Sequence, residues 1–162
     1  MIAIEKDLYI DLDIPAEQQI AFLRQHAVSS RIDDFVVLKE KLGSRGTEIF
    51  KDILRQSYKC VIEMTKGLDF QTLSSLAGFS DRMFGLQTKM DYNKPDEFQY
   101  SITSCPYLDE SKSRGMDMEF CHIFENVYME EITKNIGEFT EPDRMCNGDS
   151  KCSFRMRNTF GR

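Results

Sequence analysis

The sequence predicts an α+β chain. A mainly helical half, residues 1–93, precedes a cysteine-rich half, residues 94–162, and the two form a single domain. Three observations carry this. Apolar residues recur at helical spacing up to Ala77, the period switches to two at Glu97, and the remainder reads as a strand–helix–strand–strand unit with an antiparallel sheet. At 162 residues and 41% hydrophobic, the chain has enough apolar material to bury a core without disulfide support.

Taken in order, Pro15 suits the first turn of a helix, with Ile20, Leu23 and Ala27 at helical spacing behind it. A second helix is expected over Ile32, Phe35, Val36 and Lys39 to Leu42, ended by Gly43. The strongest pattern runs from Thr47 to Lys66. Its stripe is Ile49, Phe50, Ile53, Leu54, Cys60, Val61 and Met64, and Gly67 stands where a helix C-terminus closes. The run Gly43 to Gly46 lacks the lysine and preceding strand of a phosphate loop and reads as a turn between helices. Asp69 is placed to cap a short helix bearing Leu73, Leu76 and Ala77. From Phe79 to Asn93 no periodicity decides the structure.

Phe98, Tyr100 and Ile102 alternate with Gln99, Ser101 and Thr103, the pattern of a half-buried strand, and Pro106 ends it. Asp109 to Arg114 reads as a polar loop. Asp117 is placed to cap a helix running to Lys134, with Cys121, Phe124, Tyr128 and Ile132 along one side. Ile136 to Glu141 reads as a short strand, Pro142 as a break and Asn147 to Asp149 as a turn. Cys152, Phe154 and Met156 alternate as a last strand.

A net charge of −6 argues against nucleic acid as partner, because phosphate binding needs a basic surface. Glu5, Asp7, Asp11 and Asp13 interrupt the N-terminal apolar residues, so no signal peptide is expected, and no run approaches the roughly 20 apolar residues of a membrane span. The expectation is a cytoplasmic protein, with no membrane or nucleic-acid partner. In a reducing compartment five cysteines read as ligands, catalysts or core residues rather than disulfides.

Four of them, Cys105, Cys121, Cys146 and Cys152, fall within 48 residues, against one in the preceding 104. Each stands at an expected element boundary, where separate elements converge. Together they are the expected metal site. Thiolates select zinc, copper(I) or iron–sulfur clusters, and four satisfy either tetrahedral zinc or a four-iron cluster. The spacing contains no C-x2-C knuckle and Cys105 is followed by proline, which favours a 4Fe-4S cluster, with Zn2+ as the alternative. Cys60, mid-helix on an apolar stripe, reads as a small core residue. His122 follows Cys121 directly and should face about 100° away from it, off the site. Glu125, one turn on, shares the Cys121 face. Its roles are ligand, hydrogen-bonding support, general base or solvated helix glutamate. His26 and His122 are too few and too distant for a two-histidine zinc motif, and Arg155, Arg157 and Arg162 read as surface.

The run from Tyr100 through Cys105 to Tyr107, then Phe120, Cys121 and Glu125, then Arg144, Gly148, Asp149, Cys152 and Phe154, resembles the L-2-amino-thiazoline-4-carboxylic acid hydrolase family. The match covers about Phe98 to Met156, over a third of the chain. The closing hairpin is also similar to four-vinyl-reductase-type sensor domains, some of which bind zinc through cysteines and a glutamate. The resemblance implies that Cys105, Cys121, Glu125 and Cys152 are pattern positions. Cys146 departs from the pattern and completes an all-sulfur set, which leaves no open position for a catalytic water.

Three functions follow as expectations. One is a metal- or cluster-binding module with a redox or sensing role and a redox partner protein. Another is a hydrolase opening a thiazoline-type ring, with Cys105 or Cys121 or a metal-bound water as nucleophile and Glu125 as the catalytic base. The third is a zinc-stabilised sensor holding a small-molecule ligand in an apolar pocket.

Overall fold

The computed structural model describes residues 14–159, apart from the side chain of Ser80; the acidic stretch 1–13 and Arg162 lie outside it. The fold is α+β: a helical first part leads into a four-stranded antiparallel sheet. Pro15 opens α1, Ala16–Leu42, a single helix where two were expected. Nothing between Ala16 and Leu42 is glycine or proline, so no residue stops the backbone hydrogen bonding. Burial begins only at Val28, followed by Ile32 and Phe35. Leu23, expected on the packed stripe, is 63% exposed.

Gly43, at φ 57°, breaks the chain between α1 and α2, Ser44–Thr65. Gly46 lies inside α2 rather than in the turn, and its lack of a side chain is required. A Cβ there would lie 1.9 Å from the Leu38 carbonyl oxygen of α1. The packed residues of α2 are Gly46, Phe50, Leu54 and Ile62, four apart along one line, with Tyr58 completing it. That phase turns Cys60, Val61 and Met64 outward. Cys60 is exposed, not the core residue its sequence position suggested.

Asp69 caps α3, Phe70–Met83, as expected: its carboxylate accepts from the Thr72 N–H at 2.9 Å. The undecided stretch supplies the end of α3 and an edge strand, β1, Gln87–Asn93. Next comes β2, Glu97–Ser104, where alternation was clearest. Asp109 to Arg114, read as a loop, mostly belongs to α4, Pro106–Ser113, because Pro106 is pre-set for a first helical turn. The cysteine helix is α5, Glu119–Asn135. Its Glu119 N–H bonds the Asp117 carboxylate at 3.1 Å. The chain closes with β3, Glu138–Asp143, a 3-10 turn at Met145–Asn147, and β4, Cys152–Arg157. Pro142 does not end β3. It sits at a break in register between Thr140 and Asp143.

The sheet order is β1-β2-β4-β3, with every neighbouring pair antiparallel. Tyr100 pairs with Phe154 and Phe98 with Met156, so one face is apolar and carries helices. The opposite face carries Gln99, Ser101, Ser153 and Arg155. Two hydrophobic cores result. Phe35, Phe50 and Phe120 meet at ring distances of 5.2–5.8 Å in the helical core. Phe98, Tyr100, Phe139 and Phe154 form the core under the sheet. Cys105 and Met145 pack against both. The cysteine-bearing segments therefore lie along the seam between the cores.

Candidate metal centre

Each cysteine is delivered by a different structural device. Cys105 leaves β2 with extended backbone and occupies the cap position of α4. The N–H groups of Tyr107 and Leu108 in that first turn face its sulfur. Cys121 is the third residue of α5, where the positive end of the helix favours a thiolate. Cys146 is held in the 3-10 turn, whose closing Gly148 takes the left-handed conformation at φ 99°. Asp149 ties that turn by accepting from the Arg144 N–H at 2.8 Å. Cys152 begins β4, and its sulfur accepts from the Met145 N–H at 3.3 Å.

These devices bring the four thiols into one neighbourhood around Cys121. Burial pushes the Cys121 thiol up to about 12, and the neighbouring Cys105, Cys146, Glu125 and Cys152 add to the rise. Burial likewise raises Cys105 to about 11 and Cys152 to about 12, and lifts Cys146 above its ordinary value. All five cysteines are free thiols. Among the described residues, no group of three or more His, Cys, Asp or Glu side chains stands at the spacing of a closed metal-ligand set. The donor chemistry suits a soft metal, and the thiols are gathered in one region without being drawn together.

Glu125 lies one turn beyond Cys121, as its spacing requires, and its carboxyl group is enclosed. Burial raises it strongly, and the charge of Glu141 raises it further. Glu141 itself is pushed up by burial against the pull of Arg144, whose Nε lies 2.6 Å from Glu141 Oε2. Arg144 also donates to Asn126 Oδ1 and to the Met129 sulfur, both at 3.1 Å, so it clasps the Glu141 end of the site against α5.

His122 corrects an expectation. It does point away from Cys121 around the helix, yet its Nδ1 lies 3.8 Å from Cys146 Sγ. The 3-10 turn approaches α5 on that flank, so Cys146 reaches His122 as well as the neighbourhood of Cys121. Glu141 is a site residue that periodicity did not single out, and Asp81 is a further buried acid whose charge is felt at Glu125. Glu141 sits beside Pro142 in an edge strand, and Asp81 lies in a segment without a readable pattern.

None of the described helices is long and apolar enough to cross a membrane. Protein-family models and curated proteins offer no match to the chain.

Proposed function

We propose that the protein holds a soft metal centre at the seam through Cys105, Cys121, Cys146 and Cys152, a four-iron cluster ahead of zinc, and serves a redox or sensing role with a partner protein. One observation carries the reading: Cys105, Cys146 and Cys152 lie close enough for their charges to be felt at Cys121, and burial above all keeps the four thiols protonated. Four buried thiols in one low-dielectric place are costly to ionise unless a cation arrives, and a metal ion displaces their protons. A cluster would supply one-electron chemistry, whereas zinc would supply a structural cross-link. The chain's own part is to exclude water and to aim N–H groups at sulfur, from Met145 to Cys152 and from Tyr107 and Leu108 to Cys105. The Met145–Cys152 hydrogen bond would stabilise the reduced, more negative state of a thiolate centre. A cytoplasmic setting belongs to this reading, since free thiols persist in a reducing compartment.

Metal and sulfide analysis of anaerobically prepared protein tests it. Iron, acid-labile sulfide and broad visible absorption are expected. Stoichiometric zinc in colourless protein rejects the cluster but keeps the cysteine set, and metal-free protein rejects both.

A second reading, a hydrolase in keeping with the amino-thiazoline carboxylate resemblance, draws on one observation. The enclosed Glu125 carboxyl is held well above its ordinary range beside Cys121, as a general acid–base group would be. Turnover of the amino-thiazoline carboxylate, abolished by Glu125→Gln, is its test. Untouched substrate with metal-replete and metal-free protein ends it.

A further inference from the structure

The apolar stripe at the start of α1 has no place in either core. Ala16, Ile20, Leu23 and Ala27 follow one another at spacings of four, three and four, the repeat by which paired helices pack. Every residue from Ile14 to His26 is exposed, Ile20 at 49% and Leu23 at 63%. Further along, α1 turns Val28, Ile32 and Phe35 into the helical core. At 100° per residue the Ile20–Leu23 line stands about 120° round from those three, so the packing that seats the helix leaves this seam outside. Few bonds tie the segment to the body. Arg24 donates from Nε and Nη2 to the Met83 and Arg82 carbonyls at the end of α3, both at 3.0 Å, and Gln25 donates to Glu110 of α4. Met83 and Phe84, themselves exposed, stand where Arg24 meets α3 and widen the apolar surface. Three turns of helix without packing are marginal in water, so the segment gains stability from whatever covers its seam.

We infer that this seam pairs two copies of the chain, antiparallel, about a two-fold axis between Ala21 and Phe22. In that register Ile20 packs on Leu23 of the second copy and Ala16 packs on its Ala27, so large meets large and small meets small. The charges agree. Glu17 and Arg24 each follow a seam residue directly and flank the seam on the same side. Antiparallel pairing sets Glu17 of one copy against Arg24 of the other, and the two-fold axis makes that pair twice. Parallel pairing would oppose Glu17 with Glu17 and Arg24 with Arg24. A guanidinium has five donors, and the bonds to α3 use only Nε and Nη2, so Nη1 can reach the carboxylate. A net charge of −6 drives copies apart elsewhere, whereas this patch brings one acid and one base and is complementary to itself. The contact is small, under about 1,200 Å² in total, so the dimer is weak and forms as concentration rises. The pairing does not rest on the metal reading.

Sedimentation velocity of the full chain over a range of concentrations tests the inference. A monomer–dimer equilibrium is expected for the wild type. Leu23→Glu puts a charge into the seam without touching either core. It should weaken dimerisation at least about tenfold while the circular dichroism of the monomer stays unchanged. Glu17→Lys sets a lysine against Arg24 and should weaken the dimer about threefold. Phe22→Ser changes a residue that is 71% exposed and faces away from the seam, so it should leave the equilibrium as it is. A wild type that is monomeric at every concentration, as it would be if a different protein covered the seam, overturns the proposal. So does a dimer undiminished by Leu23→Glu, or one that Phe22→Ser dissociates as strongly. An unaltered or tighter dimer in Glu17→Lys overturns the antiparallel pairing.

Discussion

The two faces of the sheet carry the same kinds of acidic residue and treat them oppositely. On the outer face, Asp91 accepts hydrogen bonds from the Ser101 hydroxyl and Gln99 amide, and the first of these holds it below the usual carboxylate range. Glu97 is held low by the Tyr92 hydroxyl and by Arg157, whose Nε and Nη2 donate at 3.0 and 2.9 Å. Asp143 accepts from the Ser153 hydroxyl at 2.5 Å. Behind the sheet, Asp81 is raised to about 7 and Glu125 and Glu141 are raised as well, each primarily by burial. Asp81 Oδ2 lacks a hydrogen-bond partner among the described residues, and Glu141 is held by its ion pair with Arg144. Acids of the outer face are met by hydroxyl, amide and guanidinium donors, whereas Asp81 behind the sheet keeps a buried oxygen without one. Such local conflicts concentrate at functional sites.

The comparison breaks most visibly at neighbouring residues of β2. Phe98 is fully buried on the inner face, so Phe98→Ala should cost about 3–5 kcal/mol in denaturant unfolding. Gln99→Ala, one residue on and facing out, should change stability by no more than about 0.5 kcal/mol. Equal costs would mean that the sheet is not one-sided.

Acidification separates the two sets of acids. Asp81 has a folded pKa of about 7, above its ordinary value. Its contribution to stability is therefore fully present below the ordinary carboxylate pKa and is lost as pH rises through about 7. In metal-free protein this favours the native state at pH 4–5 over pH 8 by up to about 4 kcal/mol, and Asp81→Asn should flatten the slope. Asp91 has the opposite sign. Its contribution is present above the ordinary carboxylate pKa and is lost on acidification, so Asp91→Asn should remove an acid-side loss of stability. Unfolding curves across pH 4–8 for the two variants read both slopes.

A smaller effect sharpens the outer face. Ser153 is completely buried there and its hydroxyl donates to Asp143, so Ser153→Ala should cost about 1 kcal/mol. Thiol accessibility gives the gentlest test. Cys60 is exposed and the seam cysteines are not, so one thiol per chain should react rapidly with an aromatic disulfide reagent and four slowly. Five equally fast thiols would mean an open seam.

What could be read from the sequence follows the same division. The alternation of Phe98, Tyr100 and Ile102 marked β2 because one face of that strand is apolar and the other polar. The Asp69 cap was legible because capping is a local, two-residue event. The edge strand β1 has no buried residue, so burial left no period-two imprint on Gln87 to Asn93. Cys60 was misplaced because α2 buries a line four residues apart, Phe50, Leu54 and Ile62, and the wider apolar stripe concealed that phase. The approach of Cys105, Cys121, Cys146 and Cys152 could be anticipated from their places at element ends. The arrival of Cys146 beside His122 could not, since it depends on where the 3-10 turn lies against α5.

The central proposal is that the four thiols gathered at the seam hold a metal. Iron, zinc and acid-labile sulfide, measured with a visible spectrum on anaerobically prepared wild type and Cys146→Ser, test it most directly. The account predicts a coloured wild-type protein with iron and sulfide in matching amounts, and loss of most of both in Cys146→Ser. A colourless, metal-free wild type, or a Cys146→Ser protein with undiminished metal, would contradict it.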